Sequence, residues 1–549
     1  MKHLLALLLF VSINEPLYSQ VKQLQPEQII EKAGSRKLSE LIKPSNISPL
    51  GGHGYIASLH LNRMGDKQGK SQCLLLEDGK ALPLPGSVHQ QIIKQGRGRY
   101  SHWTNTSLYF SASDSSDPRT NNRRYELVCD EHVVRKLAKV VATSKRSLFQ
   151  IKADKNAKVR MLRLQYTNLD EKSSVIPHLK HRGDPDLTSI ESMLKSVIEP
   201  GMSDEQKCLA IWKLLIDWRY HHIPAEGGAE IHDPVKFLNV YGYGFCDDSA
   251  ATFSELTRAA GIKSRIHGLS GHVVGEAYYN GAWHMFDPDH EVVYRTKDGK
   301  IASVADLEKQ PRIITATPKD PIGSNSQYIA NLYTSTNNNV AYDPLTEISK
   351  PLHPVLGPGD QLVFDFTRHD RIHRILYPNS ALPPRFGNGT LLQERKTSKM
   401  VQKKNDRLIE INWSYVILGG KLILPSDVDP SKMNVAISRN RKQWTPLKFT
   451  KTEDQQFASL NSWIDQQSSA VYDYWIRIHP AENNGEEKID AAKICNRVTI
   501  QTDFQFAPLA HAPVRSGVND FELTVNSAGD QPLQDWQGLE VELEWEELP

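Results

Sequence analysis

The chain has 549 residues, of which 39% are hydrophobic and 24% charged, and its formal net charge is only +2. Such a chain is too long for a single hydrophobic core, so we expect three or four domains. The composition excludes a wholly disordered protein, and the small net charge indicates neither a nucleic acid nor an acidic membrane surface as a partner. We interpret the short basic run at residues 395–404 as a solvated loop.

The N-terminus has the pattern of a signal peptide. Lys2 and His3 precede an apolar run at residues 4–13, which is too short to span a bilayer. Polar residues and a proline then interrupt the run, and Ser19 ends a tolerable cleavage site. We expect residues 1–19 to be removed and the mature protein to be secreted or periplasmic, with no membrane span. The alternative is a buried N-terminal helix.

The cysteine content limits the covalent framework. Five cysteines are too few for a disulfide scaffold in a chain of this length, and the odd number leaves at least one unpaired thiol. Cys73 and Cys129 lie in the same strand-rich segment and could pair, but sequence spacing does not decide this. Cys208 lies on a predicted helix with no motif beside it, so we interpret it as structural.

Residues 20–186 are predicted to form an N-terminal β-rich domain. The segment 26–43 has the apolar spacing of a short amphipathic helix. From about residue 53 to 175, short apolar runs alternate with polar turns, and the stretch 114–120 is rich in turn-forming residues.

Residues 187–345 are predicted to form an α+β domain. Ser203 and Gln206 match a capping box at the start of a helix that continues to residue 218. The predicted elements are helices at 187–197, 203–218 and 247–260, and strands at 264–269, 273–279 and 283–286. A flexible loop is expected at residues 334–339.

Residues 346–549 are predicted to form a C-terminal β-sandwich region, with one sandwich or two small ones. Apolar and polar residues alternate with a period of two, which is typical of antiparallel sheets with one solvated face. The pattern occurs at residues 409–415, 498–506, 521–525 and 539–545.

The segment Gly242–Ala250 carries the first candidate for chemistry. Cys246 follows a glycine-containing turn and stands at the start of a predicted helix that Gly261 ends. The free N–H groups and positive partial charge of a helix start favour a thiolate over a thiol, and they can also hold an oxyanion. Cys246 is therefore a candidate nucleophile.

A base and its orienting partner are predicted from the strands that follow. His272 stands at the head of one strand and Asp287 at the end of the next, with an Asn280-Gly281 turn between them. Antiparallel pairing across that turn brings the two side chains together. A thiolate, an imidazole and a carboxylate in this order are the groups of nucleophilic acyl transfer.

These motifs resemble those of transglutaminase-like proteins. The motifs are GFCDDSA at 244–250, GHVVGEAYYNGAW at 271–283 and FDPD at 286–289, and the resemblance covers about residues 200–295. It implies a papain-like core, so the predicted fold is α+β, with a papain-like transglutaminase core flanked by N-terminal and C-terminal β-sandwich-like domains. It also implies a cysteine enzyme that forms a thioester on an amide substrate. By analogy with the family, His232 is a candidate oxyanion donor, with an exposed loop histidine as the alternative.

Each site residue has a plainer interpretation. Cys246 could be a small buried residue, His272 a structural histidine and Asp287 a turn residue before Pro288. The histidines of this domain fit no metal-ligand spacing, and no phosphate-binding loop follows a strand, so we expect no metal, nucleotide or other cofactor.

The predicted function is secreted hydrolysis of amide bonds in a peptide, protein or glycopeptide. Water is the expected acyl acceptor, because Val274 stands where the family often has an aromatic residue, so an amine channel lined by Tyr243, Tyr278, Tyr279 and Trp283 would be weakened. The alternative is an inactive scaffold whose β domains bind glycan or protein. The sequence leaves the natural substrate and the oligomeric state open.

Overall fold

The structure is a computed structural model in which the chain forms two compact units. It describes residues 22–26, 28–59, 73–104, 106–317, 325–334, 340–342, 350–378, 380, 382–394, 401–403, 406–453, 455–481, 494–529, 533 and 536–548. The smaller unit contains residues 30–137, 153–160 and 545–549, and the larger contains 1–29, 138–152 and 161–544. The predicted signal peptide, the loop at 335–339 and most of the basic run at 395–404 lie outside the described residues.

The smaller unit is built mainly from antiparallel strands. Its elements are the strands Gln28–Ile42, Ile47–Gly51, Gly54–Ser58, Cys73–Glu77, Lys80–Ala81, Tyr100–Thr104 and Ser107–Phe110, the first part of Tyr125–Ala142, and the helices Pro44–Asn46 and His89–Gln95. Cys73 and Cys129 are directly opposite each other in paired strands and form a disulfide. The predicted strand-rich character of this segment is confirmed.

The helix predicted at residues 26–43 is wrong. The chain forms a strand over Gln28–Ile42, which pairs with the strand Tyr125–Ala142. Ile29 and Ile30 remain exposed, while Ile42 is buried in the core of the smaller unit. Tertiary pairing along the neighbouring strand therefore overrides a weak helical pattern in the local sequence.

The middle of the larger unit contains the predicted helices followed by a small sheet. The helices are Ile190–Val197, Asp204–Trp218, Ala229–His232, Pro234–Lys236, Phe237–Tyr241, Cys246–Ala259, Val304–Lys309, Arg312–Thr315 and Ser326–Thr334. The sheet has the order Ala282–Phe286, Val273–Tyr279, Lys263–Gly268, Val340–Tyr342. Two further short strands, Tyr220–His221 and Tyr243–Gly244, pair in parallel. The predicted helices, the Ser203 capping box and the three predicted strands are confirmed to within a few residues.

The remaining described part of the larger unit is mostly antiparallel sheet. Its strands are Lys22–Gln23, Arg146–Lys152, Lys158–Asn168, Val175–His181, Gln361–Asp365, Gly387–Glu394, Val401–Lys403, Asp406–Asn412, Ile417–Leu424, Met433–Ser438, Thr445–Pro446, Phe449–Lys451, Gln456–Ser459, Asp473–Pro480, Thr499–Phe506, Val518–Ser527 and Leu539–Leu548. Short helices occur at Pro430–Lys432, Asn461–Ile464 and Pro508–His511. The strand Val518–Ser527 pairs with both Arg146–Lys152 and Val175–His181.

The chain is therefore of mixed helix and strand class. No helix among the described residues is both long enough and apolar enough to cross a bilayer.

Candidate active site

Cys246 is the first residue of the helix Cys246–Ala259, and the turn before it depends on glycine. Gly242 has a left-handed φ of 72°. A Cβ on Gly244 would come within 2.6 Å of a carboxylate oxygen of Asp248. That carboxylate instead accepts a hydrogen bond from the Phe245 backbone N–H at 2.7 Å, which fixes the first turn of the helix. The thiol is half-buried and belongs to no disulfide.

The adjacent strands bring His272 and Asp287 together as predicted. Asn280 and Gly281 both have positive φ, 51° and 78°, as expected for the tight turn that joins the strands. The pairing aligns Gly275 with Phe286, so His272 and Asp287, which flank the paired strands, lie at the same edge of the sheet. The Nε2 atom of His272 lies 2.8 Å from Oδ2 of Asp287, and both side chains are buried.

The carboxylate of Asp287 is held by several donors. Its Oδ1 atom accepts hydrogen bonds from the backbone N–H groups of Asp289 at 3.1 Å and His290 at 2.9 Å. Trp212 donates from its indole Nε1 to the backbone carbonyl of Asp287 at 3.0 Å. Burial alone would raise the pKa of Asp287, but the charge and hydrogen bond of His272 outweigh it and lower the pKa. The carboxylate is therefore ionised and faces the imidazole.

His272 also contacts the thiol. Burial would lower the pKa of His272, but Asp287 and then Cys246 raise it, and the net shift is well above the usual value. Because Nε2 is directed at Asp287, Nδ1 is the ring nitrogen left for Cys246. The imidazole thus lies between a carboxylate and a sulfur atom, and its raised pKa favours the protonated form.

A second carboxylate, Asp289, lies beside the thiol. One of its oxygens, a ring nitrogen of His272 and the sulfur of Cys246 lie within 4.8 Å of one another. Arg219 donates to Oδ1 of Asp289 at 2.7 Å and also to the backbone carbonyl of Pro288. Burial would raise the pKa of Asp289, but hydrogen bonding from His221 and the charge of Arg219 lower it.

His221 reaches Asp289 from the short parallel strand pair. His221 is paired with Gly244, two residues before the thiol, and its Nδ1 lies 2.9 Å from Oδ1 of Asp289. Because the carboxylate is ionised, Nδ1 carries the proton and donates it. The ring is 53% exposed, so its other edge faces solvent. From the sequence, His221 was only one of several histidines in this domain. Arg219 and Asp289 were not predicted as site residues, although Asp289 belongs to the FDPD motif.

His232 contacts a carboxylate next to the nucleophile candidate. Its Nε2 lies 3.3 Å from Oδ1 of Asp248, in the first turn of the helix that begins at Cys246. Burial raises the pKa of Asp248, and the contact with His232 partly opposes this. The oxyanion role of His232 stays a prediction.

Tyr278 and Trp283, two of the residues expected to line an amine channel, lie away from His272. Val274 is fully buried in the hydrophobic cluster that includes Met285. Tyr278 and Trp283 pair with each other near the opposite end of their strands, about 20 Å along the chain from His272. Arg265 lies 4.0 Å over the ring of Trp283. The weakening of an amine channel by Val274 stays a prediction.

Several groups of side chains in the described residues have the donor atoms of a metal site. They are Cys246, His272 and Asp289; His272, Asp287 and His290; His232, Asp247 and Asp248; and Cys73, His102 and Cys129. In the last group both sulfur atoms are consumed by the disulfide.

Residues 191–288 match the family model of the transglutaminase-like superfamily. No curated protein matches the chain. Among solved structures, the chain is similar to a "putative protease" from Parabacteroides distasonis ATCC 8503, with 8% identity over 88% of this chain and 98% of the other. The TM-score of that comparison is 0.16.

Proposed function

Because residues 191–288 belong to the transglutaminase-like superfamily, whose members are typically cysteine-dependent enzymes, we propose that this protein is a thiol hydrolase of amide bonds. Cys246 is the nucleophile, His272 the general acid and base, and Asp287 the residue that orients and charges the imidazole. The observation that carries the proposal is the contact of His272 with both Asp287 and Cys246. A buried structural histidine needs no half-buried thiol at its second nitrogen.

The reaction proceeds in two halves. The thiolate of Cys246 attacks the carbonyl carbon of the amide, the C–N bond breaks, and the Nδ1 proton of His272 leaves with the amine. Water then attacks the resulting thioester, gives a proton to Nδ1, and the C–S bond breaks to release the carboxylic acid. Asp287 stays ionised throughout and stabilises the imidazolium whenever it forms.

The start of the helix Cys246–Ala259 supplies the oxyanion donors in this proposal. Its first backbone N–H groups have no partner within the helix and carry positive partial charge, which suits the negative oxygen of the tetrahedral intermediate. His232 is a second donor candidate, since its contact with Asp248 holds it at the same helix turn.

Water is the proposed acceptor. An amine acceptor such as lysine is almost fully protonated at neutral pH and must be bound and deprotonated in a dry channel. His221, the residue paired beside the thiol-bearing loop, is 53% exposed, which favours solvent access on this side.

The proposed substrates are peptides, proteins or glycopeptides, and the proposed location is secreted or periplasmic. The Cys73–Cys129 disulfide is of the kind that persists in oxidising compartments, which supports export. The flanking strand-rich regions are proposed to be β-sandwich-like domains, and substrate selection is proposed to lie partly in them.

A library of peptides and glycopeptides, read by mass spectrometry for newly released amines, tests the proposal. We expect cleavage by the wild type and none by Cys246→Ala. If neither protein releases an amine while the wild type retains members of the library on an affinity column, the protein is a binding scaffold and the proposal fails.

A further inference from the structure

Cys246 and two neighbouring side chains bring three different metal-donor atoms close together. The sulfur of Cys246, a ring nitrogen of His272 and a carboxylate oxygen of Asp289 lie within 4.8 Å of one another. Ligand atoms around a tetrahedral zinc ion are separated by roughly 3.3 to 3.8 Å, given metal–ligand bonds of about 2.0 to 2.3 Å. Closing this difference needs the donor atoms to approach one another by about 1 Å. Asp289 has no step in the proposed hydrolysis.

The surroundings of these three side chains also suit a metal ion. A histidine that binds a metal usually donates its other ring N–H to a carboxylate, and Nε2 of His272 does so to Asp287. A carboxylate ligand is itself usually hydrogen-bonded, and Asp289 accepts from Arg219 and His221. Both outer contacts exist without any rearrangement.

Charge favours a divalent ion of intermediate softness. A thiolate, a carboxylate and a neutral imidazole together carry two negative charges, which a divalent cation neutralises. The sulfur–nitrogen–oxygen set suits zinc, whereas calcium and magnesium prefer oxygen alone. The thiol is half-buried while Asp289 and His272 are buried, so the fourth position of a tetrahedral ion would face the solvent side, where a water molecule can bind.

We propose that Cys246, His272 and Asp289 form a zinc site that reversibly blocks the nucleophile. The ion takes the lone pairs that the thiolate and the imidazole use in catalysis, and it releases the protons they carried. The blocking effect rests on the proposed hydrolase function, whereas the binding site does not. The group of His232, Asp247 and Asp248 is less suitable because it offers no sulfur. The group that contains both His272 and Asp287 is less suitable because an ion there would have to break the hydrogen bond between them.

Binding is tested with cobalt(II) as a spectroscopic probe and with zinc as a competitor, on the full chain with its disulfide intact. We expect one cobalt per chain, a sulfur-to-cobalt charge-transfer band, and loss of that band in Cys246→Ser. Asp289→Asn should weaken cobalt and zinc binding at least roughly 10-fold. The matched control Asp247→Asn removes a carboxylate one residue from the thiol and should leave the affinity within about twofold.

Asp289→Asn leaves buried Arg219 without its charge partner and so endangers folding. The double variant Arg219→Met, Asp289→Asn removes both charges together and should show the same loss of affinity. Absence of the thiolate band, or equal affinity in the Asp289 variants, overturns the inference. Weaker binding in Asp247→Asn also overturns it, because the ion would then occupy the His232 group.

Turnover measurements separate the two proposals. A wild type that hydrolyses amides and is unaffected by zinc at micromolar concentration contradicts the blocking site alone. A wild type that shows the cobalt band and never hydrolyses an amide contradicts the proposed function alone.

Discussion

The imidazole of His290 is stacked on the imidazole of His272, with ring centroids 4.0 Å apart and an angle of 18° between the planes. The backbone N–H of His290 donates to Asp287, and Asp287 accepts from His272. The ring of His272 is therefore held at its edge by a carboxylate and across its face by a second ring. This preorganises the base before any substrate is bound, which lowers the reorganisation needed during reaction.

Replacing the nucleophile should abolish turnover without unfolding the protein. In Cys246→Ala the sulfur is lost from a half-buried position, so little packing is removed. We expect kcat to fall at least about a thousandfold, because covalent catalysis has no substitute nucleophile. Amide release is the measurement, with circular dichroism as the check on folding.

Cys208→Ala is the matched control for this experiment. Cys208 is fully buried on the helix Asp204–Trp218, and its loss should cost some stability but no turnover per folded molecule. Full activity in Cys246→Ala, or loss of activity only in Cys208→Ala, would show that the wrong thiol has been assigned.

Asp287→Asn should lower kcat without abolishing turnover. The amide cannot stabilise an imidazolium by charge, and it changes the proton position that the base prefers. A loss of about 10² to 10⁴ in kcat is expected. Because Asp287 is the main cause of the raised pKa of His272, the alkaline limit of activity should move to lower pH in the variant. An unchanged pH profile would contradict the assignment.

The ion pair of His272 and Asp287 should make the stability of the folded protein depend on pH. His272 has a folded pKa well above its usual value of 6.5, so its contribution to stability is complete below pH 6.5 and is lost as the pH rises through the folded pKa. Asp287 has a lowered pKa, so its contribution to stability is present above its usual pKa of 3.8 and is lost as the pH falls through the folded pKa.

Urea unfolding of the wild type and Asp287→Asn checks this behaviour. At pH 6 the variant should be less stable by about 3 kcal/mol, because a buried ion pair has lost one partner. The difference should shrink at the alkaline end of the range, where His272 of the wild type is neutral. A difference that is constant with pH would mean that the two side chains are not ion-paired.

Cys246 should be the thiol that reacts first with an electrophile. Burial raises the pKa of Cys208 to about 12, and Cys495 is also buried, whereas Cys246 is half-buried beside an imidazole. Alkylation with iodoacetamide at neutral pH, followed by peptide mapping, should label Cys246 before the others. His272→Ala should slow that labelling while leaving the rates at Cys208 and Cys495 unchanged.

Local signals predicted much of the central domain but little of what surrounds it. The Ser203 capping box, the Gly261 stop and the Asn280-Gly281 turn each act within a few residues, and each lies where the sequence indicated. The Asn280-Gly281 turn was enough to predict that His272 lies beside Asp287. The helix prediction at residues 26–43 failed because strand pairing with a distant segment determined their conformation.

Long-range contacts could not be predicted from spacing. The strand Val518–Ser527 pairs with Arg146–Lys152 and Val175–His181, more than 300 residues earlier in the chain. Arg219 reaches Asp289 across 70 residues, and no local pattern marks an arginine as the partner of a particular carboxylate. Contacts of this kind depend on the assembled fold rather than on a local period or cap.

Water rather than an amine should accept the acyl group. With a tagged primary amine at millimolar concentration, free acid should accumulate faster than tagged product, because the exposed ring of His221 beside the thiol-bearing loop favours access of water to the thioester. Trp283→Ala should leave the ratio of the two products unchanged, since Trp283 lies under Arg265 at the far end of its strand from Asp287. His221→Phe, which replaces a polar ring with an apolar one of similar size, should raise the share of tagged product by making the approach to the thioester drier. If tagged product dominates in the wild type, the protein transfers acyl groups to amines, and water is not its acceptor.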